Sequence, residues 1–494
     1  MVKLRIRKYQ VNTKWYLCFA AYFLAIHLRF APYSFKTLAG DDVILLGVSN
    51  QNNGFLSTFW GSFTDNTGGK WRPVSQIVLS PLLDFFGGDF WKYQLLNEAL
   101  LAGCGVLIAV LVFNLTGERF LLGLSAGSFV ILARFNLYYV LQVFGLMESL
   151  AVLFMLSMLI SLEKYVRLRS NRYIYFSNFF FLLTIHTHER YLFLLPVLFV
   201  CSWLYVPSKP FLARLFLVCL PLFIVAENFL VKTKILNLTF LTGGGGTEIN
   251  SATTDIPIFS WRALLNIFGY NSGPDYLSGR NAHSLGGAAV ILAVGWTILL
   301  SVVILLSCIQ MFRNTGWQNS YRKISIAVLL IGPLILSASI TFRQEYRWLF
   351  APYIALIIVA HVSLNIVARS RQSLNLITSL LVSLGSLIGL YYASYAQSTY
   401  FFSTQNLADS INDRLFVQYE EQMATTTFVI VDHDSTAFDW AVGTGLYYRE
   451  YSPTQNFDIR RVASTEEITA LTELRENLIV FDYRRDQIVQ IQGY

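Results

Sequence analysis

Charge is scarce in this sequence. Only 14% of its 494 residues are Asp, Glu, Lys or Arg, against about a quarter in an ordinary soluble chain. That deficit excludes a water-soluble globule of this length. Cysteine is sparse too. Cys18, Cys104, Cys201, Cys219 and Cys308 all lie inside apolar runs, where a thiol behaves as a small hydrophobe, so no disulfide is expected and no zinc or haem spacing forms. The glycine cluster Gly243-Gly244-Gly245-Gly246 lacks a following Lys-Ser/Thr and reads as a connector rather than a phosphate loop. No internal repeat is visible, which counts against the two-halved build of many secondary transporters. The first apolar run is followed by His27, Arg29 and Pro32 instead of a small-residue cleavage site, and is read as an uncleaved helix.

What the chain has in quantity is apolar surface: 54% hydrophobic residues and 15% aromatics. Apolar runs recur, many of them long enough to cross a hydrocarbon core of ~30 Å. The expected fold is an α-helical polytopic membrane protein with about eleven spanning helices over 15–32, 92–114, 119–135, 141–162, 173–187, 189–206, 211–231, 287–311, 324–341, 346–367 and 374–396. The net charge of +7 falls mostly in short loops, so it reads as topology and not as a nucleic-acid footprint. With the basic N-terminus in the cytoplasm, Lys164, Arg167, Arg169 and Arg172, then Lys209 and Arg214, then Arg313, Arg322 and Lys323, then Arg369 and Arg371 all fall on the cytoplasmic side, as the positive-inside rule requires. The expected location is a cell (inner) membrane.

This divides the chain into a transmembrane part, 1–396, with outer loops at 33–91 and 232–286, and a small α/β domain outside the cytoplasm, 397–494. In the tail, 427–431, 477–483 and 488–491 read as strands, and stretches near 438–448 and 465–475 as helices.

Ionisable residues at membrane depth are costly and mark function by default. Here they gather at the outer ends of spans: Asp41 and Asp42 after the first, Lys70 and Arg72 in the first outer loop, Glu98, Glu148, the run His188-Glu189-Arg190, and Arg343, Glu345 and Arg347. Both signs together suit a site that handles an anionic ligand and a proton. Glu98 and Glu148 suit structural hydrogen-bonded roles equally well. His186 and His188, two apart on a helix, face different ways, so no metal site is expected.

Four segments resemble the GT-C class of membrane glycosyltransferases, which includes protein O-mannosyltransferases and the lipid A aminoarabinose transferase. They are Gly40-Asp41-Asp42, Trp71-Arg72-Pro73-Val74, His188-Glu189-Arg190 with the later Pro196, and Arg343-Gln344-Glu345-Tyr346-Arg347 running on to Pro352. Two features depart from the family: His188 stands where a lysine is usual, and the second span lacks the family's histidine. The resemblance implies transfer of a sugar from a polyprenyl-phosphate donor to an acceptor hydroxyl of a glycan, lipid or protein, with inversion and without a cofactor. Asp41, or next Asp42, would be the base. Arg72, Arg343 and Arg347, with Arg190 and Lys70 behind them, would hold the donor phosphate, and His188, Glu189, Glu148 and Glu345 would support them. The competing readings are a transporter or flippase of lipid-linked or anionic solutes, a polysaccharide polymerase or ligase of another fold, and a non-enzymatic assembly subunit.

Overall fold

The computed structural model describes residues 2–33, 42, 61, 70–87, 89–205, 211–241, 255–270, 287–341, 346–368 and 371–396, isolated residues between 406 and 421, and 426–431, 458–462, 477–482 and 487–491. Its helices are α1 (Val2–Phe30), α2 (Pro73–Phe86), α3 (Phe90–Leu115), α4 (Phe120–Leu132), α5 (Asn136–Leu141), α6 (Gly145–Leu168), α7 (Asn171–Thr187), α8 (Leu195–Tyr205), α9 (Phe211–Leu230), α10 (Asp255–Phe268), α11 (Gly287–Ser339), α12 (Phe350–Val367) and α13 (Arg371–Ala396). Six stretches are long and apolar enough to cross a membrane: Phe90–Leu115, Gly145–Leu168, Leu215–Ile235, Gly287–Asn314, Ser320–Ser339 and Arg347–Val367. Large apolar side chains on these and neighbouring helices point outward, among them Leu17, Leu24, Leu28, Ile291, Ile298 and Leu305. Water would penalise so continuous a greasy surface, whereas lipid is its natural solvent. The chain is therefore a helical membrane protein.

Several expected spans take another form. The run from 119 to 135 yields only thirteen α-helical residues, because Asn136 Nδ2 donates to the carbonyls of Val130 and Ile131 at 2.7 and 2.9 Å and satisfies the orphan acceptors of a helix end. The run from 189 starts as a 3-10 turn, Glu189–Leu194. The α-helix begins only at Leu195, next to Pro196, which is well suited to a first turn. Between 311 and 324, where a loop was expected, helical backbone continues and α11 runs for 53 residues. A single glycine and no proline at 312–323 leave nothing there that forbids it.

The helices nearest the charged residues pack closely. Tyr22 of α1 donates to the Leu124 carbonyl of α4 at 2.8 Å. A Cβ on Gly127 would meet the Tyr22 hydroxyl and lie 2.6 Å from the Gly105 carbonyl oxygen of α3. Gly127→Ala is thus expected to cost about 1–3 kcal/mol by overpacking, read as a lower unfolding temperature. Gly145, the first residue of α6, is similarly hemmed in: a Cβ there would come within 2.7 Å of the Tyr138 carbonyl oxygen. Its absence lets α6 start directly against α5.

Toward the C-terminus lies a four-stranded sheet in the order β2-β1-β3-β4, with β1 (Thr427–Val431), β2 (Asp458–Val462), β3 (Leu478–Asp482) and β4 (Gln487–Ile491). β1 runs parallel to β2 and β3, and β4 antiparallel to β3. Every residue of β3 is buried, so both faces of the sheet are covered there. β2 was not expected, since Arg460 and Arg461 put a charge on each face and break the alternation that announces a strand. The helical stretches expected near 438–448 and 465–475 lie outside the described residues.

Candidate functional site

The charged residues converge around the start of α6. Asp42 is buried, and its two carboxylate oxygens accept the backbone N–H groups of Val143 at 3.0 Å and Phe144 at 3.2 Å. This carboxylate neutralises the positive end of α6 just ahead of its first turn. One turn on, Glu148 is 2% exposed. Its Oε1 lies 3.6 Å from His188 Nε2, 3.9 Å from Arg190 Nη1 and 4.0 Å from Arg347 Nε. Its Oε2 has no hydrogen-bond partner among the described residues.

Arg72 stands directly ahead of α2, at the position before Pro73, and its side chain makes no capping hydrogen bond. Its Nε and Nη2 donate to Glu189 Oε2 and Oε1 at 2.7 and 2.6 Å, the parallel fork that guanidinium and carboxylate form best. Nη1 points to Met147 Sδ at 3.4 Å. Burial works against both charges. The Arg72 guanidinium nonetheless holds the Glu189 carboxyl well below the usual carboxylate range, and Glu189 in turn raises Arg72. Trp71, 2% exposed, sets its ring edge-on to His186 at 5.0 Å. Nε2 of that histidine lies 3.2 Å from Glu227 Oε2.

His188 ends α7. Its Nδ1 accepts the Arg190 backbone N–H at 3.3 Å, and its Nε2 lies 3.3 Å from Arg190 Nη2 and 3.6 Å from Glu148 Oε1. Burial, and then the charges of Arg72 and Arg190, push the imidazole well below 6.5, so it is neutral at physiological pH. The folded state therefore binds fewer protons than the unfolded chain below pH 6.5, and stability falls as the medium is acidified through that value. His188→Gln is expected to flatten the loss of thermal stability between about pH 6.5 and 5, measured by unfolding temperature across pH. An unchanged slope in that variant would contradict the burial of a neutral ring.

Arg190 stacks on Trp348, its guanidinium carbon 3.9 Å from the ring centroid. Arg347 sits in the 3-10 turn Tyr346–Leu349 ahead of α12. Its Nη1 donates to Gln142 Oε1 at 3.3 Å, and its backbone carbonyl accepts the Tyr139 hydroxyl at 3.2 Å. Lys70 is close enough for its charge to lower His188.

The structure thus brings together Arg72, Glu189, His188, Arg190, Glu148 and Arg347, with Asp42 on the adjoining backbone and Lys70 nearby. Asp41, Arg343 and Glu345 lie outside the described residues. Glu98 does not join the cluster: it pairs with His27 at 2.9 Å and accepts from Gln94 at 3.1 Å, clipping α3 to α1. Sequence reasoning missed Lys232, Gln142, Tyr139 and Trp348. Lys232 is 1% exposed and lies in the π-helical turn Val231–Ile235. Its Nζ donates to the Phe240 carbonyl at 2.8 Å, and its charge acts on Glu189. The available signal was a lysine directly after an apolar run, which looks the same as the first residue of a loop.

Fold and cluster together define a helical membrane protein with a buried, mixed-charge site rich in guanidinium groups. No protein-family model matches the chain, and no curated protein matches it.

Proposed function

We propose that this chain is a GT-C-type membrane glycosyltransferase, moving a sugar from a polyprenyl-phosphate donor to an acceptor hydroxyl at the outer membrane face. In this reading the chain crosses the bilayer about eleven times, its N-terminus is cytoplasmic, and the sheet-containing tail is a small α/β domain outside. The observation that carries the proposal is the meeting of Arg190 and Arg347, from turns far apart in sequence, within 4.0 Å of one carboxylate oxygen of Glu148. A leaving lipid phosphate needs positive charge and no general acid, and guanidinium forks match its oxygens.

Roles follow from the contacts. Arg190, stacked on Trp348, and Arg347, hydrogen-bonded to Gln142, take the donor phosphate, with Lys70 nearby; Arg343 keeps the supporting role that the resemblance implies. Arg72 is committed to Glu189 through two hydrogen bonds, so it acts as scaffold and braces the turn that carries Arg190. Both oxygens of Asp42 are engaged by backbone, which suits an anchor better than a base. Asp41 then takes the acceptor proton as the hydroxyl attacks opposite the phosphate. The prenyl chain lies among helices in lipid.

The decisive experiment incubates purified protein with labelled polyprenyl-phosphate sugars and separates lipid from glycan products. Transfer of label to a hydroxyl acceptor supports the reading. Label moved intact across proteoliposome membranes, with none transferred, would identify a transporter instead. Arg347→Ala is expected to weaken donor binding by at least tenfold, since charge-assisted hydrogen bonds contribute about 1.5–3 kcal/mol each. Unchanged affinity in that variant removes its phosphate role.

A further inference from the structure

A carboxylate beside a phosphate site needs explaining, because it repels the ligand. Glu148 is buried in the first turn of α6, with Oε1 3.6–4.0 Å from His188, Arg190 and Arg347. None of these is at hydrogen-bond distance, and Oε2 has no hydrogen-bond partner among the described residues. The contacts are too long for Glu148 to be simple structural glue. It is also too close to the arginines to be the base. In an in-line displacement the nucleophile, the anomeric carbon, the leaving oxygen and the guanidinium follow one another, which puts the base about 8 Å or more from the phosphate-binding nitrogens. What remains is a fixed negative charge facing whatever anion Arg190 and Arg347 hold.

We infer that Glu148 is a specificity-determining counter-charge that makes the site prefer a phosphate monoanion to a dianion, and so speeds release of the phosphate product. The inference rests on the reading above. In the transfer step the bond between the anomeric carbon and the phosphate oxygen breaks, and its electron pair stays on that oxygen. The acceptor oxygen bonds to the carbon, and the acceptor proton passes to the base. A phosphodiester monoanion thereby becomes a phosphomonoester, which is a dianion above its second pKa of about 6. Two guanidinium groups alone would grip that product harder than the donor. A nearby carboxylate opposes this, since its repulsion doubles when the ligand charge doubles.

The test measures binding of farnesyl methyl phosphate, a diester, and farnesyl phosphate, a monoester, to the detergent-purified full chain at about pH 8, where the monoester is a dianion. Glu148→Gln is expected to tighten the diester about tenfold and the monoester about a hundredfold. Glu148→Asp, which withdraws the charge by one methylene, is expected to give a smaller change with the same order, and it serves if the Gln variant does not fold. Glu163→Gln, which removes a carboxylate paired with Arg167 near the other end of α6, is expected to change neither. Weaker or unchanged binding in the Glu148 variants overturns the inference, as does equal tightening of both ligands. Inorganic phosphate is the third probe. If Glu148→Gln tightens it while wild type binds neither farnesyl ester, the counter-charge stands and the lipid-donor reading falls.

Discussion

Asp41→Asn is expected to lower sugar transfer by about 10²–10⁴-fold, the usual contribution of a positioned general base, with donor affinity and unfolding temperature unchanged. The expectation comes from its neighbour. Asp42 is pinned by the N–H groups of Val143 and Phe144, and the preceding Cα lies ~3.8 Å away along the chain. Asp41 is the other carboxylate of the Gly40-Asp41-Asp42 element, and with Asp42 held as an anchor it is the one left to take the acceptor proton. Asp42→Ala should behave differently. It leaves one buried and one half-buried backbone donor without their acceptor and is expected to cost about 1–3 kcal/mol of stability, with activity falling only as folded protein is lost. Measuring turnover and thermal unfolding on both variants separates base from anchor. Near-normal turnover in Asp41→Asn would end its role as base.

Breaking the fork between Arg72 and Glu189 should have the largest effect on folding. The side chains are 14% and 16% exposed, so removing either leaves a largely desolvated charge behind. Arg72→Ala or Glu189→Ala is expected to cost about 3–5 kcal/mol, whereas replacing the pair by apolar residues of similar volume comes near to neutral. The readout is the folded yield in the membrane fraction and the unfolding temperature of Arg72→Ala, Glu189→Ala and the double variant Arg72→Met with Glu189→Leu. If the double variant is as unstable as the singles, the loss comes from packing and not from an orphaned charge.

Much of the cluster was legible in the sequence because charge is so rare here. In a chain this apolar, Arg72 before a proline, the run His188-Glu189-Arg190 and Arg347 at the start of an apolar stretch stand out, and these residues meet. What could not be read was their pairing. Nothing in the order of residues says that Arg72 takes Glu189 while Arg190 takes the face of Trp348, since that depends on how α2, α7 and α12 pack in three dimensions. Helix ends were also hidden. Asn136 stops α4 by reaching back to carbonyls, and hydropathy is blind to such a contact. Lys232 was invisible for the opposite reason: hydropathy assigns any lysine to water, and this one is buried on a carbonyl of its own chain.

That burial has a practical consequence. An amine-acylating reagent should modify the solvent-facing lysines quickly and reach Lys232 only when the segment carrying Phe240 lets go. The rate of labelling at this one position, followed by mass spectrometry with and without candidate ligands, is therefore a built-in gauge of how often that segment lifts away from Lys232.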